Sequence, residues 1–246
     1  MEKPFLGRKA LVAGGTGGIG RAVALCLAEK GAELIVHGGS SMERLESTLD
    51  AVRKSGSKAE GFLLSIEKPE ALPSAAEEIL AHAPQTDILV CAWGPFKQGK
   101  IEALNGEFWQ NMVTTNLIFP GILVSGVLQG MIERNWGRIL LFGGTNTDTI
   151  RGFTTTAAYS AAKTALGVLA KSAAKSCGSL GITCNVLCPG LTETEYTPEE
   201  QKHYNFSKSP GGKPLNPRQI ALAALAILEN PCINGAVLTA DQGLVL

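Results

Sequence analysis

Leu11-Val12-Ala13-Gly14-Gly15-Thr16-Gly17-Gly18-Ile19-Gly20-Arg21 carries a short apolar run into a glycine-rich turn and then into a helical pattern. Lys9–Ala13 has no polar alternation, which predicts a strand buried on both faces. Ile19–Lys30 follows with helical spacing. The glycines between them allow a tight turn and let the backbone lie against a ligand's phosphates. The helix that follows offers unpaired N–H groups and the positive end of its dipole. This strand–turn–helix predicts a dinucleotide site lined by Gly14, Thr16, Gly17, Gly18, Ile19 and Gly20.

The same rhythm continues along the chain. Strands are predicted over Glu33–His37, Gly61–Leu64, Asp87–Ala92, Arg138–Phe142, Thr183–Cys188 and Ala236–Ala240. Helical patterns cover Met42–Lys54, Pro69–His82, Phe108–Asn135, Ala157–Gly178 and Pro217–Glu229. Regular alternation of buried strands with helices predicts an α/β fold. The expected architecture is a single Rossmann-like, doubly wound parallel sheet of about seven strands with helices on both faces. No linker or repeat divides the chain, so residues 1–246 read as one dinucleotide-binding and catalytic domain. Only Leu191–Leu215 breaks the rhythm, being polar and rich in Pro and Gly. Placed beyond the carboxyl end of the sixth strand, 191–215 is expected to lie over the ligand crevice as a substrate lid.

Composition narrows the function. Lys and Arg total 22, Asp and Glu total 22, and the zero net charge leaves no electrostatic footprint for nucleic acid or an anionic membrane. No stretch of about 20 apolar residues is evident, so no membrane span is expected. The N-terminus, Met1 to Arg8, is too polar for a signal peptide. Six scattered cysteines form no CxxC pair, which predicts reduced thiols in a cytoplasmic protein. His37, His82 and His203 stand at no ligand spacing to them, so no metal is expected.

The second strand should carry the group that reads the adenosine ribose, where an Asp or Glu would select NAD. It ends instead in His37-Gly38-Gly39-Ser40-Ser41. No carboxylate repels a 2′-phosphate, and His37, Ser40, Ser41 and Arg44 could hydrogen-bond one. NADP is therefore preferred over NAD. Ser40 or Ser41 also suits the N-cap of the next helix.

Tyr159-Ser160-Ala161-Ala162-Lys163 places a phenol and an ammonium at i and i+4, on one helix face. An unperturbed tyrosine titrates near ~10 and is a weak base at neutral pH. A neighbouring ammonium is expected to lower that value. Tyr159 can then give a proton to a carbonyl oxygen while hydride reaches its carbon, or run the reverse.

With both motifs in this order, the chain resembles the short-chain dehydrogenase/reductase family, in the single-domain branch of the 3-oxoacyl-carrier-protein reductases. The resemblance covers nearly the whole chain. It implies that Gly14, Gly18 and Gly20 form the glycine motif, that Tyr159 and Lys163 form the catalytic pair, and that Asn116 holds a relay water. It further implies that Lys163 holds the nicotinamide ribose and that Pro189, Gly190 and Thr194 lie over the nicotinamide. Pro217–Ala221 and Asp241-Gln242-Gly243 resemble C-terminal signatures of the family. A small-molecule carbonyl/alcohol substrate follows, and a homotetramer or homodimer built on Phe108–Asn135 and Ala157–Gly178.

Two departures stand out. Cys91-Ala92-Trp93-Gly94 replaces the family's Asn-Asn-Ala-Gly, with Ala92 and Gly94 still expected at the cofactor. Trp93 either stacks in the crevice or fills the core. The family's substrate-binding serine is also missing. Alignment from the strand gives Gly144, counting back from Tyr159 gives Asn146, and Thr145 between them is the expected substitute. The losses leave one rival open, an NADP-binding sensor without turnover. An extended-branch lyase or epimerase would need a larger C-terminal region.

Overall fold

The computed structural model describes residues 2–66, 69–197 and 199–244. Pro198, inside the expected lid, lies outside the described residues, as do the side chains of Gln201 and residues 203–206. Seven strands form one parallel sheet: β1 (Lys9–Ala13), β2 (Glu33–Gly38), β3 (Ala59–Leu63), β4 (Ile88–Cys91), β5 (Gly137–Phe142), β6 (Ile182–Pro189) and β7 (Val237–Ala240). Their order is β3-β2-β1-β4-β5-β6-β7. The chain steps outward from β1 to β3, then returns to place β4 against the other side of β1. Ala13 pairs with His37 on one side and with Cys91 on the other. The crevice beyond the carboxyl ends of β1 and β4 is thus the switch point where such sheets bind ligands.

Two apolar layers hold the sheet. On one face α1 (Gly18–Glu29), α2 (Met42–Lys54) and α8 (Pro217–Glu229) bury Val23, Leu27, Leu49, Val52, Ile220 and Leu228. On the other, α3 (Leu72–His82), α5 (Phe119–Glu133) and α6 (Ala157–Cys177) bury Ile79, Phe119, Leu123, Met131 and Leu166. β1, β4, β5 and β6 are covered on both sides, which explains their unbroken apolar runs. Asn185 and Asn234 fasten the outer strand. Asn185 donates to Ile233 O at 2.8 Å and accepts from Ala236 N–H at 3.0 Å.

Most element edges fall within two residues of the sequence reading. The exceptions have local causes. Phe108–Asn135 is not one regular helix: α4 (Gly106–Val113) runs through a π-helical turn at Thr114–Ile118 into α5. Asn105 caps α4 by accepting from Phe108 N–H at 2.9 Å, which moves its start upstream. Pro69–Ala71 is a separate 3-10 turn ahead of α3. Residues 191–215 contain a helix, α7 (Glu199–Lys208), that their polar composition hid. The ends of this segment are joined by a bridge between Thr192 and Leu215.

The expectation that no stretch could span a membrane needs correction. Gly106–Glu133 passes that test by length and composition. Its Phe119, Leu123 and Met131 side chains are fully buried against the sheet layer, as in the core helix of a globular domain.

Candidate active site

The turn after β1 is held by β2. Gly14 and Gly15 N–H groups both donate to the His37 carbonyl, at 3.1 and 2.9 Å. A Cβ on Gly20 would collide with the Gly14 carbonyl, so the third glycine permits the close approach of α1 to the turn. The crevice above is about 700 Å³. Gly14, Thr16, Gly17, Gly18, Ile19, Gly20, Ser40, Ser41, Ala92, Gly94 and Thr194 line it, as expected from sequence. Arg44, Trp93 and Phe96 join them. Trp93 borders the crevice and sets its ring edge-on to Phe119 at 5.0 Å.

His37 is a correction. Its side chain is fully buried, shares a 3.1 Å hydrogen bond with Leu64 O through Nε2, and lies beside Phe62. Burial lowers its pKa, so it is a neutral core group and only its carbonyl serves the cofactor turn. The strand's two-face alternation sends residue 37 into the layer of α3 and α5. Ser41, by contrast, is the N-cap of α2, accepting from Arg44 N–H at 3.3 Å.

The start of α1 has no side-chain cap of its own. Glu195 supplies one from far along the chain: Gly18 N–H donates to its Oε1 at 2.9 Å. Glu195 and the Tyr196 hydroxyl fill the space where a Cβ on Gly17 would stand. The Arg44 guanidinium lies 4.8 Å from the centre of the Tyr196 ring. A carboxylate oxygen therefore occupies the anion position at the helix N-terminus, standing in for a phosphate oxygen. Together with the glycine cradle, this shows that the crevice fits a dinucleotide pyrophosphate. Sequence reading missed Glu195 and Tyr196, because nothing local distinguishes them.

The proton-transfer groups converge at the opposite end. Tyr159 and Lys163 share one face of α6, and Lys163 Nζ lies 5.8 Å from the Tyr159 ring centre. Lys163 donates to Phe142 O at 2.9 Å, at the end of β5. Burial brings its pKa down to about 8. Burial also pushes the Tyr159 phenol up, with the Cys188 thiol adding to it. The expected lowering by Lys163 is thus overturned in this arrangement: removal from water outweighs an ammonium whose hydrogen bond goes to a carbonyl. Phe96 packs edge-on against Tyr159 at 5.0 Å.

Asn116 sits in the π-helical turn, where the irregular backbone re-aims its side chain. Its Nδ2 donates to Pro95 O at 3.1 Å and to Thr115 Oγ1 at 3.0 Å. Its Oδ1 is buried without a partner. A Cβ on Gly94 would stand 2.5 Å from that Oδ1 and 3.0 Å from Lys163 Nζ. Gly94 therefore keeps open the space between amide and ammonium.

Beside Tyr159 lies a second cavity of about 370 Å³. Gly190 of the expected nicotinamide segment lines it, with Leu191, Thr192 and Thr197 of the lid. Thr145 lines it too, yet its hydroxyl donates to Pro189 O at 3.0 Å. Gly144 stands at the phenol: a Cβ there would meet Tyr159 Cε1 at 2.8 Å and its hydroxyl at 3.1 Å. Among the described residues no cluster of three or more His, Cys, Asp or Glu side chains is arranged for a metal ion.

Fold and site together define a nucleotide-dependent oxidoreductase. The chain belongs to the short chain dehydrogenase family, which it matches over residues 8–205. It is an NAD(P)-dependent enzyme of the CH–OH/C=O type. It is 32% identical to the 3-oxoacyl-(acyl-carrier-protein) reductase FabG of Escherichia coli over 98% of this chain and 99% of that one. It is 27% identical to the 2-dehydro-3-deoxy-D-gluconate 5-dehydrogenase of Formosa agariphila, over 97% of this chain and 93% of that one. Among solved structures, a 3-oxoacyl reductase of Agrobacterium tumefaciens with NADP bound has a TM-score of 0.86 at 26% identity, over 97% of this chain and 94% of that one.

Two measurements check this geometry. A lysine with a folded pKa of about 8, below its unfolded 10.5, leaves the unfolded chain holding the extra proton in between, so the protonated group destabilises the fold at lower pH. Lys163→Met is expected to be more stable than the parent by about 2 kcal/mol at neutral pH: a burial cost of roughly 3 less about 1 for the lost bond to Phe142. The gap in denaturant melts should shrink and then reverse as pH rises from about 8 to 10.5, since the neutral amine keeps its bond to Phe142; a pH-independent gap contradicts the buried charge. Glu195→Gln is expected to tighten NADPH binding by roughly tenfold in fluorescence titration, since a charged competitor leaves the anion site. Unchanged or weaker binding refutes the competition.

Proposed function

We propose that the chain is an NADP-preferring carbonyl reductase whose substrate presents an uncharged 3-oxo end, as a 3-oxoacyl thioester does. The observation that carries this is the lining of the cavity at Tyr159. Phe96, Phe153 and Leu191 give it apolar walls, hydroxyl and amide side chains give it polar ones, and among the described residues no ionised side chain lines it. A substrate carboxylate would find no cation there. The kinship with 3-oxoacyl reductases points the same way. Residues 191–215 act as the lid, since Leu191, Thr192 and Thr197 face this cavity while Thr194 and Tyr196 face the cofactor crevice.

NADP preference rests on the ribose corner. Gly39, Ser40, Ser41 and Arg44 border the crevice there, and none of these four is the carboxylate that would select NAD. Solved relatives carrying NADP support it.

The bound cofactor supplies hydride to the carbonyl carbon. Tyr159, kept protonated by burial, gives its proton to the carbonyl oxygen. Lys163 returns a proton toward the phenol through a water held by Asn116 Oδ1, and it holds the nicotinamide ribose. With Lys163 near 8, reduction should slow as pH rises through that value and the ammonium is lost.

The test is NADPH and NADH oxidation with acetoacetyl-CoA and 5-ketogluconate, in the parent protein and in Tyr159→Phe. Expected are turnover with NADPH and the thioester, a declining limb near pH 8, and a loss of about 10²–10⁴ in kcat for Tyr159→Phe with NADPH affinity unchanged. Turnover only with ketogluconate, or a fully active Tyr159→Phe, overturns the reading.

The assembly proposed is a cytosolic homotetramer built on α4, α5 and α6, where Ile118 and Val168 leave apolar surface exposed at 44% and 69%. Sedimentation equilibrium of protein from the soluble cell fraction should give four chains; a monomer, or recovery only from membranes, refutes it.

A further inference from the structure

The cavity at Tyr159 lacks an obvious partner for the substrate oxygen. Gly144 has no side chain, and the phenol itself fills the space where one would begin. The hydroxyls around the cavity are already engaged. Thr145 donates to Pro189 O at 3.0 Å and Thr192 to Gly190 O at 3.0 Å. Thr156 and Ser160 share one hydrogen bond at 2.9 Å. Thr197 accepts from Thr194 N–H at 3.0 Å and lies 3.4 Å from its hydroxyl. Among the described residues, two polar side chains on the wall have no hydrogen bond, Tyr159 and Asn146.

Asn146 is unusual in a second way. Its φ is +64°, one of three positive values at non-glycine residues among those described. Left-handed backbone outside glycine concentrates at functional sites, and Asn tolerates it best. Thr147 fixes the conformation from the next position: its hydroxyl accepts from Gly144 N–H at 2.8 Å and donates back to Gly144 O at 2.9 Å. The turn thus delivers the Asn146 amide to the cavity wall. Its Oδ1 is buried and unpartnered, and rotation about χ2 exchanges that oxygen with the NH₂ group. An amide with neither end engaged has two donors to give.

We infer that Asn146 is a catalytic residue of this enzyme: its NH₂ donates to the substrate carbonyl oxygen, opposite the Tyr159 proton, and stabilises the charge that grows there as hydride arrives. The inference rests on the carbonyl-reductase reading above. It assigns to an amide the task for which the sequence alone favoured the Thr145 hydroxyl. An amide is always a donor, whereas a hydroxyl bound to a carbonyl has already given its proton. The two unengaged groups then address one oxygen together, with no competing partner to release first.

The test uses Asn146→Gly, which accepts φ +64° without strain, Asn146→Asp, which keeps the shape and loses the donors, and Thr145→Val. Each is assayed with NADPH and acetoacetyl-CoA. Both Asn146 variants should lose about 10²–10³ in kcat with NADPH affinity unchanged, and Thr145→Val should lose less than either. A readout independent of turnover comes from the Tyr159→Phe background, where bound thioester does not react. There the infrared band of its ketone should move to higher wavenumber on Asn146→Gly and stay in place on Thr145→Val. Full activity in both Asn146 variants, or the larger loss and band shift in Thr145→Val, overturns the assignment. A parent protein without thioester turnover, or an active Tyr159→Phe, fails the reductase reading instead, and so is told apart.

Discussion

The buried ammonium of Lys163 is the constraint around which the site is arranged. It is held by one carbonyl, Phe142 O at 2.9 Å, at the end of β5. A charge so far from water is costly, and its lowered pKa measures that cost. The surroundings are shaped to keep it there. Gly94 has no side chain because Lys163 and Asn116 occupy its flank. The helix carrying Asn116 departs into a π turn at that point. Tyr159 stands one turn before Lys163 on α6, so the bond to β5 fixes the phenol as well. Packing alone would favour an apolar residue at 163, and a proton-donor role beside the phenol, as proposed above, would account for the lysine.

What the sequence disclosed and what it hid divide along a physical line. Strands, helices and the glycine turn depend on local periodicity and conformational freedom, and those are written in neighbouring residues. The pair Tyr159 and Lys163 was legible for the same reason, being one helical turn apart. Glu195 at Gly18 was not, because its partner lies 177 residues away and a carboxylate in a polar loop looks like any other. The burial of His37 was hidden for a subtler reason. Its strand ends at the ribose corner, but the two-residue alternation decides which face it takes, and it takes the core. The helix within 191–215 was hidden by polarity, since α7 has little apolar periodicity to mark it.

The cofactor end shows a related trade. A helix N-terminus left open for phosphate has unsatisfied N–H groups. Here the segment after β6 provides a carboxylate, and Tyr196 with Arg44 packs beside the glycine turn. The same segment reaches the substrate cavity through Thr197 and Leu191. One short loop therefore borders both the crevice and the cavity.

A glycine at 144, one of the positions at which the family's serine is expected, looks at first like damage. The packing says otherwise. With a Cβ at 144 the phenol would have to retreat, and Phe96, edge-on at 5.0 Å, stands against its ring. The chain instead admits the phenol fully. The hydrogen bonds of the loop that follows, Thr147 to Gly144 and Thr145 to Pro189, consume its hydroxyls as structure. The side chain left over is the amide at the left-handed position. A donor lost from the strand end is thereby compatible with an intact oxyanion site, because the geometry that forbids a side chain at 144 is the geometry that presents one at 146.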